Sequence, residues 1–574
     1  MTVPQLPLEI VNEIIDFVAA SFTSDSDPLS AGSDNDHKRA SAFDMDIDDM
    51  ATAASSNNSL RSEMKAMSLV NSDFLHLCRP HIFREIDVGF GCDKQASLHR
   101  LRNLSKFLQD RPYLAHAVRS LTGVFPNPST VPSNESITMP NHDHSLTNLL
   151  DLPNVTSINI SSFHVHDDAA MDFSGYSNPS PSPYDAAFYG RDAILARYLP
   201  QITSFMLKDV EDVPLVPILS SPTLATLILD GCTVQRVSEI PSPNAVGTGF
   251  NLLEYHGKGT SGNSLFLLSL CGNLQRLYFD SDSGYQSDSH LLDDARLSSC
   301  FTAMPFNELT EAHFAGEVEE LIRFYSEAGR RGLLAFPKLT NLLLSIDTDE
   351  EMLGINGDNA LGEPHIMFAC MSALSFLHLT GPSIHLLDIE SCLRPCQTTL
   401  QSLRIDWGLT YIPRNGSIPH LDANLYSLSR VINSLSALQD VQLSIHLGFD
   451  LDAPKPPLDL TGFAHNVHLV FGEYRFKPAG SVPPLRSLKL EVSLDAYMYR
   501  AKEVTGDMGV EDGDDMHMWS DIGEAPGGRW AKEKAIAQYR EWLYSTAGPM
   551  FEAQLALIGN NAPFLYTSEV LVPH

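Results

Sequence analysis

Three short segments of the chain nearly repeat one another: Leu152-Pro-Asn-Val-Thr-Ser-Ile158, Leu199-Pro-Gln-Ile-Thr-Ser-Phe205 and Phe336-Pro-Lys-Leu-Thr-Asn-Leu342. Each reads as a turn running into a strand whose apolar residues stand three and then two apart. The shared skeleton, apolar-x-x-apolar-x-apolar, recurs from Val118, Val155, Ile202, Leu224, Leu274, Leu309, Leu339, Leu374, Leu400, Leu438 and Leu485, with a weaker copy from Leu252. A unit made of one short strand and its return segment has an apolar edge that it cannot bury alone; stacking successive units makes a continuous core. From Ile202 onward the intervals are 22, 28, 22, 35, 30, 35, 26, 38 and 47 residues. The expected stack is therefore irregular, with loops inserted between units. An ordinary α/β domain with many short strands is the alternative; on either reading the fold class is α/β.

Composition agrees with a large ordered core. The 574 residues are 43% apolar and 9% aromatic, which excludes wholesale disorder. The net charge of −33 is concentrated. Residues 22–59 carry eight Asp against Lys38 and Arg39, residues 280–294 carry five Asp, and residues 503–524 carry eight acidic residues and no basic one. These tracts supply 19 of the 33 net negative charges and lack apolar periodicity, so they are expected to be solvated and disordered. A Pro/Ser/Gly-rich stretch at 172–186 reads the same way. A field of this sign repels phosphate backbones and anionic lipid, so neither a nucleic acid nor a membrane is expected as a partner.

The eight cysteines are too few for a disulfide scaffold. The first apolar stretch, Leu6 to Val18, carries Glu9, Asn12, Glu13 and Asp16, unlike the core of a signal peptide. The uncharged run most suggestive of a membrane span, Val213 to Leu229, is 17 residues and is broken by Pro214, Pro217 and Pro222, too short and interrupted to cross a bilayer. An intracellular protein with free thiols, cytoplasmic or nuclear, is expected.

The N-terminus signals helices. In Leu6-Pro-Leu-Glu-Ile10-Val-Asn-Glu-Ile14-Ile-Asp-Phe-Val18, Pro7 suits the first turn, and Ile10, Val11, Ile14, Ile15 and Val18 share one face. A second helical pattern runs through Met64, Met67, Leu69, Val70, Phe74 and Leu77. The opening Leu-Pro-x-Glu-Ile, the later Ser68-Leu-Val-Asn-Ser72 and the closing Arg79-Pro-His-Ile-Phe-Arg-Glu-Ile86 together resemble an F-box, closest to the divergent F-boxes common in fungal proteins. The family's compact three-helix unit is split here by the acidic insert at 22–59. Loop closure entropy grows slowly with length, so such an insertion costs little if its ends stay close. The resemblance implies docking on a Skp1-type adaptor, and through it a cullin–RING ligase. By position the contacts or their supports would be Leu6, Pro7, Ile10, Ile14, Leu69, Val70 and Phe83. The first helix could instead simply cap the next domain.

The long C-terminal part resembles the leucine-rich repeats that commonly follow an F-box. The fullest copy is Leu224-Ala-Thr-Leu227-Ile-Leu229-Asp-Gly-Cys232-Thr-Val234. In that family Cys or Asn at the place of Cys232 serves the buried turn after each strand, and most copies here lack it. The resemblances together predict an α/β protein: an irregular leucine-rich-repeat solenoid preceded by a small all-α F-box module. Its expected parts are the module at 1–90, a helical linker at 91–117 and the solenoid at 118–574. Near the end, a helical stretch at 531–544 and the apolar Phe564-Leu-Tyr are suited to capping the last repeat.

No catalytic or cofactor motif emerges. Gly257-Lys258-Gly259 lacks the rest of a phosphate loop, and no Gly-x-Ser-x-Gly or His-Glu-x-x-His occurs. Asp44, Asp46 and Asp48 mimic a calcium loop, but Asp49 stands where its turn glycine belongs. Cys392 and Cys396, with His385 nearby, lack a second ligand pair and read as structural thiols. His142/His144 and His164/His166 read as surface histidines. Asp282-Ser283-Gly284-Tyr-Gln-Ser287 resembles a doubly phosphorylated degron, and Lys38-Arg39-Ala-Ser41 a basophilic kinase site.

The sequence thus predicts a non-enzyme without cofactor or metal: the substrate-recognition subunit of an SCF-type ubiquitin ligase, holding a target protein on the solenoid. The alternative is a leucine-rich-repeat scaffold with no ubiquitin role. By strand alternation the outward residues expected to meet the target are Arg276, Tyr278, Phe376, His378, Arg404 and Asp406, with Asn341, Gln442 and Lys489.

Overall fold

The computed structural model describes residues 78–79, 81–87, 103–126, 152–163, 197–211, 213–235, 250–262, 265–281, 305–316, 319–346, 368, 371–381, 389–412, 419–432, 434–450, 485–497, 528–559 and 565–572. They fall into two compact units, Met1–Thr302 and Ala303–His574. The first holds β1 (Glu85–Asp87), a helical stretch at 103–109, α1 (Pro112–Ala117), β2 (Ser120–Pro126), β3 (Ser157–Phe163), β4 (Ser204–Lys208), α2 (Leu215–Leu219), β5 (Thr226–Asp230), β6 (Glu254–Lys258), α3 (Leu265–Leu268) and β7 (Arg276–Ser281). The second holds β8 (Glu311–Gly316), α4 (Glu319–Arg330), β9 (Asn341–Ser345), β10 (Phe376–Gly381), α5 (Ile389–Leu393), β11 (Ser402–Ile412), α6 (Pro419–Ile432), β12 (Asp440–Asp450), β13 (Ser487–Tyr497), α7 (Gly528–Trp542), α8 (Gly548–Gly559) and β14 (Leu565–Leu571).

Within each unit the strands are parallel and their order in space follows their order in the chain. Parallel neighbours need a crossover between them, so each strand begins a turn of chain that returns beside itself. This order is compatible with a solenoid-like α/β fold. Every copy of the skeleton opens one of the strands β2 to β13, and its first residue is almost fully buried throughout, from Val118 at 0% exposure to Leu485 at 2%. The next two skeleton positions line up as continuous inward rows, such as Leu342, Leu377, Leu403, Val441 and Leu488. Each buried Leu, Ile or Val contributes roughly 1.5–3 kcal/mol.

The threonine in the lead-in has a physical reason. Its carbonyl accepts two N–H groups from the next strand, as Thr156 O does from Thr203 and Ser204, and Thr340 O from Ser375 and Phe376. Its hydroxyl donates one step back: Thr203 Oγ1 to Thr156 O at 3.3 Å, and Thr340 Oγ1 to Thr310 O at 3.0 Å. Each lead-in is thereby tied to the one before it.

The strand ends are tied similarly. Cys232 Sγ lies 3.4 Å from the carbonyls of both Leu207 and Asp230. Thr260, at the same place one strand later, donates to Leu229 O at 3.2 Å and Lys258 O at 3.1 Å. Burial pushes the Cys232 thiol up to about 12, so it stays a neutral donor. Thr260 is thus a third solution, beside Cys and Asn, to the buried turn.

The sheet starts earlier than expected. β1 pairs with β2, Ile86 opposite Leu121, inside the stretch assigned above to the all-α module. The reason is legible: Phe83-Arg-Glu-Ile86-Asp-Val88 is itself a copy of the skeleton. Within the stretch 91–117, residues 103–109 and α1 are helical, and residues 91–102 lie outside the described residues. The rest of the module lies outside the described residues, as do most of the acidic tracts, residues 172–186, Lys38 to Ser41, Asp282 to Ser287, and the histidines 142, 144, 164 and 166.

Candidate functional site

Strand alternation leaves one face of each sheet for side chains that the core does not use. In the first unit this face carries a connected polar cluster over β5, β6 and β7. Glu254 Oε1 lies 3.0 Å from His256 Nε2 and 3.3 Å from Arg276 Nη1, while Thr226 Oγ1 donates to Oε2 at 3.5 Å. The hydrogen bond from His256 and the charges of His256 and Arg276 outweigh burial and hold the Glu254 carboxyl below its usual range. Tyr278 stacks on His256 with ring centroids 6.0 Å apart and planes 11° from parallel. Burial, then Asp280 and Asp230, push its phenol up to about 12. Half-buried Met206 and Ile228 continue this row toward the N-terminus. The next row alternates in charge: Lys208, Asp230, Lys258, Asp280, with Lys208 Nζ 3.4 Å from Asp230 Oδ2.

In the second unit the corresponding face carries a tighter cluster. His378 Nε2 lies 2.6 Å from Asp406 Oδ2, to which Arg404 Nε also donates at 3.0 Å. His378 is only 6% exposed and Ser444 4%. Burial pushes the Asp406 carboxyl up, but the hydrogen bond and charge of His378, with Ser444 and Arg404, more than reverse it and hold it at about 2. His313 and Leu343, also on this face, are buried at 8% and 5%.

The structure therefore brings Arg276 and Tyr278 into one cluster and His378, Arg404 and Asp406 into another. Phe376 and Asn341 are half-buried neighbours on adjacent strands, and Gln442 is half-buried beside Arg404. Lys489 is exposed and pairs with Glu491 at 3.3 Å. Sequence reasoning missed Glu254, His256 and Ser444. Applying to the weaker Leu252 copy the same offset that selected Arg276 and Tyr278 would have found the first two.

Of the expected adaptor contacts, Leu6, Pro7, Ile10, Ile14, Leu69 and Val70 lie outside the described residues. Phe83 is half-buried and stacks on Phe107, ring centroids 5.3 Å apart. The Arg111 guanidinium lies over the other ring of that pair, 4.4 Å from the Phe107 centroid.

No protein-family model matches the chain, and no curated protein is similar to it. Among the described residues no group of three or more His, Cys, Asp or Glu side chains is placed to hold a metal ion. Cys392 and Cys396 are buried free thiols, and burial pushes Cys396 up to about 11. Among the described residues no helix is long and apolar enough to cross a membrane. The half-exposed arginine, stacked aromatic pair and alternating charges of the first unit are residue types that carry interface energy.

Proposed function

We propose that the chain is the substrate-recognition subunit of an SCF-type ubiquitin ligase, whose N-terminal F-box docks a Skp1-type adaptor and whose leucine-rich-repeat solenoid holds a target protein. The observation that carries this reading is a combination. The Leu6-Pro-Leu-Glu-Ile10 motif and its two companion blocks lead into a sheet of parallel strands stacked in chain order, of which β2 to β13 are each opened by one leucine-rich skeleton. The function is then tethering: target and ubiquitin-charged enzyme are held on one assembly, which raises their effective concentration and asks for no bond-making site on this chain. The surface over β5 to β7 supplies the target contacts, with Arg276 and Tyr278 as anchors and Lys208, Asp230 and Lys258 setting charge register.

The test is co-purification of the full chain with a co-expressed Skp1-type adaptor. Deletion of residues 1–77 is the informative control, because it removes the first two motif blocks yet keeps Phe83 and β1. A double substitution, Leu6→Asp with Ile10→Asp, makes the same point without deletion. Binding by the full chain and loss in both variants is the expected result. A well-folded full chain that retains no adaptor would leave a repeat scaffold with no ubiquitin role.

A further inference from the structure

β14 ends the order of strands in the second unit, and among the described strands none lies beyond it. Its register with β13 places Leu565 opposite Ser487, and Leu565 N donates to Arg486 O at 3.2 Å. Strand parity then assigns the remaining backbone groups. Leu565, Thr567, Glu569 and Leu571 turn N–H and C=O toward β13, whereas Tyr566, Ser568 and Val570 turn theirs toward the open edge. Edge strands are normally blunted by lysine, proline, bulges or a covering element. The sequence Leu-Tyr-Thr-Ser-Glu-Val-Leu has neither lysine nor proline, and its single charge is Glu569.

We propose that this edge pairs with itself, so that two copies of the chain join their sheets antiparallel about a two-fold axis at Ser568. The sequence is self-complementary about that residue. Leu565 falls opposite the second copy's Leu571, Tyr566 opposite its Val570, Thr567 opposite its Glu569, and Ser568 opposite Ser568. The edge-facing residues Tyr566, Ser568 and Val570 meet one another in the hydrogen-bonded positions, as an antiparallel ladder requires. Neighbouring registers are worse. A centre on Glu569 sets that carboxylate against its own copy, which is destabilising. A centre on Thr567 sets Leu565 against Glu569 and leaves Leu571 beyond the paired stretch. Axes midway between residues oppose edge-facing groups to groups already used by β13.

The exposed apolar surface has the same location. Leu565 is 64% and Leu571 39% exposed at the two ends of the strand. On α8, Met550 and Leu557 are 44% and 66% exposed and, seven residues apart, share one helix face. α8 lies against β14, with Gly548 facing the side chains of Val570 and Val572. A two-fold at Ser568 would bring a second α8 beside the first on the face of Val570, and on the opposite face would set Leu565 against the second copy's Leu571, the isologous geometry of most homodimers. The chain's net charge of −33 opposes association, so dimerisation strengthens as salt screens it.

Sedimentation velocity of the full chain, from about 1 to 100 µM, the range in which a micromolar dimer titrates, is the first measurement. The expected result is twice the 63.2 kDa chain mass at the upper end. Ser568→Pro deletes an edge-facing N–H and leaves the β13 ladder whole; it is expected to be monomeric throughout. A second pair of variants decides the register even if the proline unfolds the tail. Ser568→Cys would face itself across the axis with Cα atoms ~5.5 Å apart, within disulfide reach. Thr567→Cys would stand ~7–8 Å from its own copy, beyond that reach. Oxidative cross-linking of Ser568→Cys but not of Thr567→Cys supports the pairing. A monomer at every concentration, a dimer that survives a folded Ser568→Pro, or equal cross-linking of the two cysteines overturns it.

Discussion

At the fifth position of the repeat skeleton the two units carry different residues in different surroundings. The first unit places Met206, Ile228, His256 and Tyr278 there, all half-buried. Over β8 to β10 the second places His313, Leu343 and His378 there, exposed by only 8%, 5% and 6%, before Arg404, Gln442 and Lys489 on β11 to β13 return to half-buried or exposed. Both rows lie on the face that strand alternation turns away from the leucine core, so alternation sets direction and not burial. Solvent decides the rest. In the first unit the Glu254–Arg276 pair is half-hydrated, and exposed pairs of this kind contribute at most about 1 kcal/mol. In the second, the His378–Asp406 pair is withdrawn from water, where charges interact more strongly and an unmatched partner is more costly. One face is fit for a partner. The other, over β8 to β10, has become a second layer of structure.

Truncating the fifth position in each unit breaks this comparison most directly. Leu343→Ala removes a side chain that is 5% exposed and is expected to cost about 2–4 kcal/mol, a large-to-small change inside a packed layer. Ile228→Ala, at the matching place in the first unit, is expected to cost about 1 kcal/mol, since its half-exposed side chain leaves no sealed cavity. Urea unfolding of the two variants measures both. Equal costs would show that the two faces are alike.

How much of this is legible in the sequence follows from which interactions are local. The inward rows were legible because a leucine three and then two residues after another is buried in any stack of short strands, and every copy of that skeleton opens a strand. β1 was legible too, through Phe83 and Ile86, but the resemblance of the same residues to an F-box took precedence. Thr260 was missed because its partners, Leu229 and Lys258, reveal the buried turn only once β5 and β6 are adjacent. The same holds for the site. Arg276 and Tyr278 follow from alternation, whereas their union with Glu254 and His256 requires the register of β6 against β7. The burial of His378 depends on what lies over the sheet, which no strand pattern encodes. Adaptor contacts rest on motif alone.

The charge pair in the second unit gives the intermediate effect. The Asp406 carboxyl is held at about 2, below its ordinary 3.8. A depressed folded-state value contributes stability that is fully present above the unfolded value and is lost as pH falls through the folded one. The contribution is therefore whole above about pH 4 and is lost as pH falls through about 2, and its size is about 2 kcal/mol. Asp406→Asn should be less stable than the parent at pH 7, with the difference shrinking as pH falls from 5 to 2. His378→Ala leaves Asp406 with Arg404 and Ser444 only and should flatten the same part of the curve. A parent and Asp406→Asn that lose stability in parallel below pH 4 would remove the pair from the second unit's framework.

The smallest stability effects, and the largest effect on binding, belong to the open face. Arg276 is 34% exposed at its side chain and shares its ion-pair partner Glu254 with His256, so Arg276→Ala should lower stability by under about 1 kcal/mol. Tyr278→Ala loses the stack on His256 and should cost about 1 kcal/mol. For a target held over β5 to β7, the same two substitutions remove an arginine and an aromatic anchor, each expected to weaken binding by about 2 kcal/mol, near thirtyfold. Lys489→Ala, an exposed charge on the second unit's face, should change neither property. Proximity labelling in cells with the parent, Arg276→Ala, Tyr278→Ala and Lys489→Ala chains reads this out whatever the target is. Proteins lost with the first two and kept with the third are its candidates. Loss with Lys489→Ala alone would move the target to the second unit, and the contrast between an open and a closed face would then describe solvent access without describing function.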